Sequence, residues 1–112
     1  MSLLEQIVEV KRRESEALSY VDIPPHEAHP SFLKALKRKQ GEPVRVIAEC
    51  KKASPSQGLI CENYQAGEIA KPYAALGASA VSVLTDKQFF SGDISHLRLA
   101  AQSGLPVLRK DF

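Results

Sequence analysis

Only two cysteines, Cys50 and Cys61, occur in the 112 residues, with no CxxC pair and no histidine at ligand spacing beside them. That scarcity argues against a zinc site and fits free thiols in a reducing cytoplasm. Charge of one sign is also lacking: 15 basic against 13 acidic residues leave a formal +2. So small an excess gives no electrostatic footprint for nucleic acid. No window holds an uninterrupted apolar run of membrane-spanning length, and Met1-Ser2-Leu3-Leu4-Glu5 lacks the basic head and apolar core of a signal peptide. The expectation is a soluble, cytoplasmic protein without membrane or nucleic-acid partners. What is present is ordinary for one globular domain with a core: 44% hydrophobic and 25% charged residues.

Ser2 with Glu5 three residues on forms a capping-box pattern, and Leu3, Leu4, Ile7, Val8 and Val10 supply an apolar stripe up to about Leu18. This predicts a helix over about 3–19. Ile23-Pro24-Pro25-His26 breaks it, and Ser31 can cap a short basic helix through Phe32, Leu33 and Leu36 that ends near Gly41. The runs Lys11-Arg12-Arg13 and Lys37-Arg38-Lys39 read most simply as solvated helix faces. Residues 1–43 are therefore expected to form a helical extension.

From Val44 the texture changes. A strand over Val44 to Lys51 leads into a long loop, then a helix over Tyr64 to Leu76 interrupted by Pro72 and closed by Gly77. A second strand, Ala80 to Thr85, is followed by a loop carrying Phe89 and Phe90. Asp93 can cap a helix over about Ile94 to Ser103 that stops at Gly104, and Pro106 to Asp111 is a third strand. The order over 44–112 is β-α-β-α-β, and right-handed crossovers make the three strands parallel. Parallel sheets are covered on both faces, yet no helix follows the last strand, so the expectation is that a longer fold continues past Phe112.

Charge on the first strand asks for a reason. Alternation puts Val46, Ala48 and Cys50 on one face and Ile47, Glu49 and Lys51 on the other, so a carboxylate and an ammonium project together near the strand's C-terminal end. Such a pair is kept either as a structural ion pair or because a polar substrate sits against it. Lys110 taken alone reads as an exposed lysine. His26, His29 and His96 have no partner pattern and read as surface or packing residues, Cys50 as a small core residue, and Cys61 as a loop thiol. Phe89 and Phe90, being adjacent, diverge, so at most one of them lines a site.

Three motifs together point to a family. Val46-Ile47-Ala48-Glu49-Cys50-Lys51-Lys52-Ala53-Ser54-Pro55-Ser56, Ser82-Val83-Leu84-Thr85-Asp86 with Phe89-Phe90-Ser91-Gly92, and Leu105-Pro106-Val107-Leu108-Arg109-Lys110-Asp111-Phe112 occur in order. The chain resembles the N-terminal portion of indole-3-glycerol phosphate synthase. The resemblance implies an α/β fold, the first three strands of a (β/α)8 barrel behind a helical extension, in a family whose full barrels run about 250 residues. It implies a lyase of tryptophan biosynthesis that closes the indole ring of a small phosphosugar, 1-(2-carboxyphenylamino)-1-deoxyribulose 5-phosphate, with loss of carbon dioxide and water and with neither metal nor organic cofactor.

On the same resemblance Lys110 is the general acid of ring closure, held near Glu49, and Lys51 binds the anionic substrate and acts in dehydration. Ser54 contacts substrate, and Phe89, or Phe90 in its place, walls the aromatic ring with Phe112. The family's later-strand carboxylate, asparagine and serine and its phosphate-binding glycine loops have no counterpart in the sequence, so the chain alone is expected not to turn over. Two other classes stay open. One is a related phosphosugar-binding barrel, which the first and third motifs disfavour. The other is a non-enzymatic module that forms a homo-oligomer through exposed strand edges.

Overall fold

The structure, a computed structural model, describes residues 1–22 and 29–112. The expected break at Ile23-Pro24-Pro25-His26, and the reading of His26, lie outside the described residues. Helix α1 spans Leu3–Glu16 and begins with the capping box, Ser2 N–H donating to Glu5 Oε2 at 2.6 Å and Glu5 N–H to Ser2 Oγ at 3.2 Å. It stops a turn earlier than expected: Leu18 and Tyr20 are exposed, so no burial rewards another turn. Of its apolar stripe only Ile7 is buried.

Helix α2, Phe32–Leu36, is capped by Ser31 but ends at Lys37, short of Gly41. The basic run Lys37-Arg38-Lys39 is therefore not helical. The side chain of Glu42 accepts from Lys39 N–H at 3.0 Å and Arg45 Nη2 at 2.9 Å, and its carbonyl accepts from Arg38 Nη1 at 2.7 Å. A turn gathered on one carboxylate replaces further helix.

Strand β1 is Ile47–Cys50, shorter than the expected 44–51 because its partner begins only at Ala80. The region read as loop contains an antiparallel pair, β2 Ala53–Ser54 and β3 Gly58–Leu59. Ser54 Oγ accepts from Gln57 N–H at 3.2 Å, and Gly58 takes the left-handed backbone (φ 64°) that closes the turn. Helix α3, Ala66–Ala75, keeps Pro72 inside it. Pro72 and Glu68, whose carbonyl it leaves without a donor, are both exposed, so the cost falls where water can bond. Strand β4 is Ala80–Leu84, helix α4 Ser95–Ala101 and strand β5 Val107–Lys110. Asp93 organises the entry to α4, its carboxylate accepting from Ser95 N–H at 2.9 Å. That bond to a backbone amide holds the Asp93 carboxyl down at about 2.

The sheet runs β1-β4-β5 with every pairing parallel, as the β-α-β-α-β order implied. Its pleat sends Cys50, Val81 and Val83 into a core with Ala66, Ala70 and Ala100 of α3 and α4, flanked by Ala48, Tyr64, Ile69, Leu97 and Val107. Small residues let the two helices approach closely. A Cβ on Gly67 would stand 3.2 Å from the Leu99 carbonyl oxygen. The opposite face presents Ile47 and Glu49, Ser82 and Leu84, Leu108 and Lys110. Three parallel strands with both crossover helices on one side are the opening portion of a (β/α)8 barrel, and this second face is the one that turns toward the barrel axis. Among the described residues no helix is long and apolar enough to cross a membrane.

Candidate active site

Glu49 lies at the C-terminal end of β1 and Lys51 one residue past it, while Lys110 ends β5. Parallel register aligns Glu49 with Ser82 and Leu84 with Lys110, so β4 separates the carboxylate from Lys110. Two strand spacings are roughly 9.5 Å. Long side chains close that gap over the small Ser82: Lys110 Nζ stands 3.0 Å from Glu49 Oε2, and Lys51 Nζ 3.3 Å from Oε1. One carboxylate is thus forked between two ammonium groups, one just past the end of β1 and one at the end of β5.

The fork is part-exposed, its side chains retaining between 32% and 45% of their accessible surface. Burial alone would raise the Glu49 carboxyl, but hydrogen bonds and charge from Lys110 and Lys51 outweigh it and hold it below the usual carboxylate range. Glu49 is therefore an anion at neutral pH. With two ammonium groups against one carboxylate the trio carries +1, which attracts an anionic ligand. Ser82, beside Glu49 in the sheet, is buried, and its hydroxyl has no hydrogen-bond partner among the described residues. From the other face Tyr73 of α3 donates its hydroxyl to the Glu49 carbonyl at 3.0 Å and pins the end of β1. Sequence reasoning missed Tyr73. Its one signal is a hydroxyl at the last turn of an otherwise apolar helical face.

The other expected site residues are placed less closely. Ser54 is buried, and its hydroxyl serves the β2-β3 turn through Gln57 N–H and Ser56 Oγ. Phe89 and Phe90 are both half-buried in the loop after β4, so their burial does not single one out. Their amides donate to Asp86 Oδ2 at 2.6 and 3.2 Å. Phe112 follows β5 and is partly exposed. His96 of α4 meets Tyr64, which precedes α3, edge-to-face, ring centroids 5.2 Å apart, and so packs against the segment leading into α3. Cys50 is fully buried, which pushes its thiol up to about 11, and Cys61 is part-exposed; both are free. Among the described residues no three His, Cys, Asp or Glu side chains cluster as a metal site would require. A groove of about 680 Å³ lies between residues 29–32, α4 and the helix-side residues Val107 and Arg109 of β5, and holds none of the charged trio.

Known proteins match this chain over nearly its whole length. The family model described as indole-3-glycerol phosphate synthase matches residues 3–112. A relative from Chlorobium phaeovibrioides named indole-3-glycerol phosphate synthase is 49% identical over 100% of this chain and 46% of its own length. One of the same name from Chloroherpeton thalassium is 45% identical over 100% of this chain and 47% of its own. A third, from Desulfotalea psychrophila, is 52% identical over 72% of this chain and 31% of its own. The chain spans about half the length of the curated relatives it matches, and in that span it belongs to the indole-3-glycerol phosphate synthase family.

Proposed function

We propose that residues 44–112 supply the first three strands of an indole-3-glycerol phosphate synthase barrel, with residues 1–43 as its helical extension, and that Glu49, Lys51 and Lys110 are part of its catalytic centre. The observation that carries this is the Glu49 carboxylate forked between Lys110 and Lys51 at strand C-terminal ends, where such barrels hold their chemistry. The reaction is ring closure of 1-(2-carboxyphenylamino)-1-deoxyribulose 5-phosphate with decarboxylation and dehydration, a carbon-carbon lyase step sequence run by proton transfer without a cofactor. Lys110 protonates the ketone oxygen as the ring carbon attacks the ketone carbon and the carbonyl electron pair moves to that oxygen. Glu49 holds that ammonium in place and balances half the positive charge of the trio. Lys51 binds the anionic substrate and assists loss of the hydroxyl as water. Ser54 contacts substrate, and Phe89 and Phe112 wall the aromatic ring. Two free thiols suit the reducing cytoplasm in which we place the protein.

The test is a fluorescence assay for indole-3-glycerol phosphate, run on the chain alone and on the chain with the C-terminal portion of a family member supplied in trans. No turnover is expected from the chain alone. With the missing strands supplied, turnover is expected and should fall about 10²–10⁴-fold in Lys110→Ala, the usual worth of a positioned proton donor. Turnover by the chain alone would overturn the need for the later strands, and an unaffected Lys110→Ala would remove Lys110 from the chemistry.

A second reading, a self-associating module, draws on Ile47 and Leu108, which remain more than two-fifths exposed on the face away from the helices. Sedimentation that stays monomeric at every concentration counts against it.

A further inference from the structure

The buried carboxylate of Asp86 is not used by the trio. Its side chain is fully buried, and the surrounding bonds converge on it from three segments of the chain. Oδ2 accepts the amides of Phe89 and Phe90, and the Asp86 carbonyl accepts Gly92 N–H at 2.7 Å, which coils the loop Lys87–Gly92 around this one residue. The coil is tight: Ser91 takes a left-handed φ of 52°, and a Cβ on Gly92 would lie 2.4 Å from the Leu84 carbonyl oxygen. Asp86 N–H donates to the Asp111 carbonyl at 3.1 Å, and Thr85 N–H to that of Lys110 at 2.9 Å, so the same segment ties to the strand end that carries Lys110.

A buried carboxylate needs a cation, and among the described residues one is supplied. Lys11 of α1 reaches Asp86 Oδ1 at 2.5 Å as an ion pair, and also Asp111 Oδ1 at 3.0 Å and Glu14 Oε2 at 2.8 Å. Burial draws the Lys11 ammonium down, but the hydrogen bonds of Asp86, Glu14 and Asp111 more than offset it and hold it above the usual lysine range. Lys11 is thus charged throughout the neutral range and clamps the helical extension onto the C-terminal ends of β4 and β5.

We infer that Lys11 is a positioning residue of the catalytic end, holding through Asp86 the loop that presents Phe89 and through Asp111 the strand end that presents Lys110. The functional sense of this rests on the ring-closure reading above, whereas the clamp itself does not. On this inference the extension is a working part of the site.

The experiment is amide hydrogen exchange on the chain and on Lys11→Met, with Lys11→Arg as the conservative variant and urea unfolding to measure overall stability. Exchange at Phe89, Phe90 and Gly92 is expected to quicken about tenfold or more in Lys11→Met, beyond any change at Ile69 of α3 or Val81 of β4, and to return toward the parent rate in Lys11→Arg. Unchanged exchange in the loop would overturn the inference. So would a uniform rise across α3 and β4 matching the loss of overall stability, or a Lys11→Arg variant as fast as Lys11→Met. If Lys11→Met does not fold, Lys11→Gln, which keeps a donor and removes the charge, is read by the same three criteria. Because no substrate is involved, failure here leaves the ring-closure reading standing, and loss of that reading leaves the clamp to be judged by itself.

Discussion

The two faces of the β1-β4-β5 sheet are built from the same strands and do opposite things. One face meets α3 and α4 and is closed by Cys50, Val81, Val83 and a set of alanines with essentially no exposed surface. The other carries Glu49, Lys110 and a buried serine hydroxyl toward its C-terminal end, while Ile47 and Leu108 remain open. Close packing at the centre of the first face excludes ions, since an unpaired charge there would lose its hydration without recompense, and the arginine on that face, Arg109 of the edge strand, stays exposed and donates to Thr85 Oγ1 at 3.2 Å. The second face holds its charges by pairing them and by leaving them part-wet. Apolar packing is concentrated on one side of the sheet and paired charge on the other.

That contrast breaks most visibly under truncation. Val83→Ala on the covered face removes atoms that the surrounding helices cannot follow, and about 2 kcal/mol of stability should be lost. Leu108→Ala on the open face should cost less than about 1 kcal/mol, because its side chain already meets solvent. Urea unfolding of both variants beside the parent decides it, and equal losses would mean that the open face is covered in solution by another surface, such as a second copy.

Tyr73→Phe sharpens the comparison, since Tyr73 is the point at which the covered face holds the charged one. Its hydroxyl spans from α3 to the Glu49 carbonyl. Removing that oxygen should cost about 0.5–1.5 kcal/mol, the usual net worth of such a bond. With the later strands supplied in trans, kcat is expected to fall while KM stays near its parent value, because the variant disturbs the seat of Glu49 and leaves Phe89 and Phe112, the walls proposed above, alone. A change confined to KM would detach Tyr73 from the trio.

The order of elements was legible because each rests on local chemistry: the Ser2 and Glu5 box, the Gly77 stop, and the apolar runs at Ala80–Leu84 and Val107–Leu108. Alternation also placed Glu49 and Lys51 on one side of β1. The approach of Lys110 to Glu49 follows from the register of strands that are not sequence neighbours, and it entered only through the family resemblance. Asp86 was quoted within a motif without a role, because a buried carboxylate is recognised by its cation, and that cation is Lys11 in a distant helix. The β2-β3 pair was read as loop since two-residue strands carry no periodicity to detect. Lys37-Arg38-Lys39 was misplaced in a helix because Glu42, which gathers the turn, lies beyond the helical pattern.

The smallest effect is the stability of the fork itself, and its sign is fixed by Glu49. The folded-state carboxyl is held below its unfolded value, with burial opposing and Lys110 and Lys51 prevailing. The unfolded chain therefore binds the proton more readily. The contribution is fully present above the unfolded glutamate range near 4.3 and is lost as pH falls through the lower, folded value. With about a third of its surface in water, Glu49 should contribute no more than about 0.5–1 kcal/mol after solvent screening. Urea unfolding of the parent and Glu49→Gln at neutral pH and again near pH 3 is expected to show the parent's advantage shrink on acidification. An advantage that grew toward low pH would mean that the Glu49 carboxyl is raised on folding and that burial, not the two lysines, sets its charge. In that case the two lysines would not outweigh the burial of Glu49 on folding, and the fork's part in holding Lys110 would fall with it.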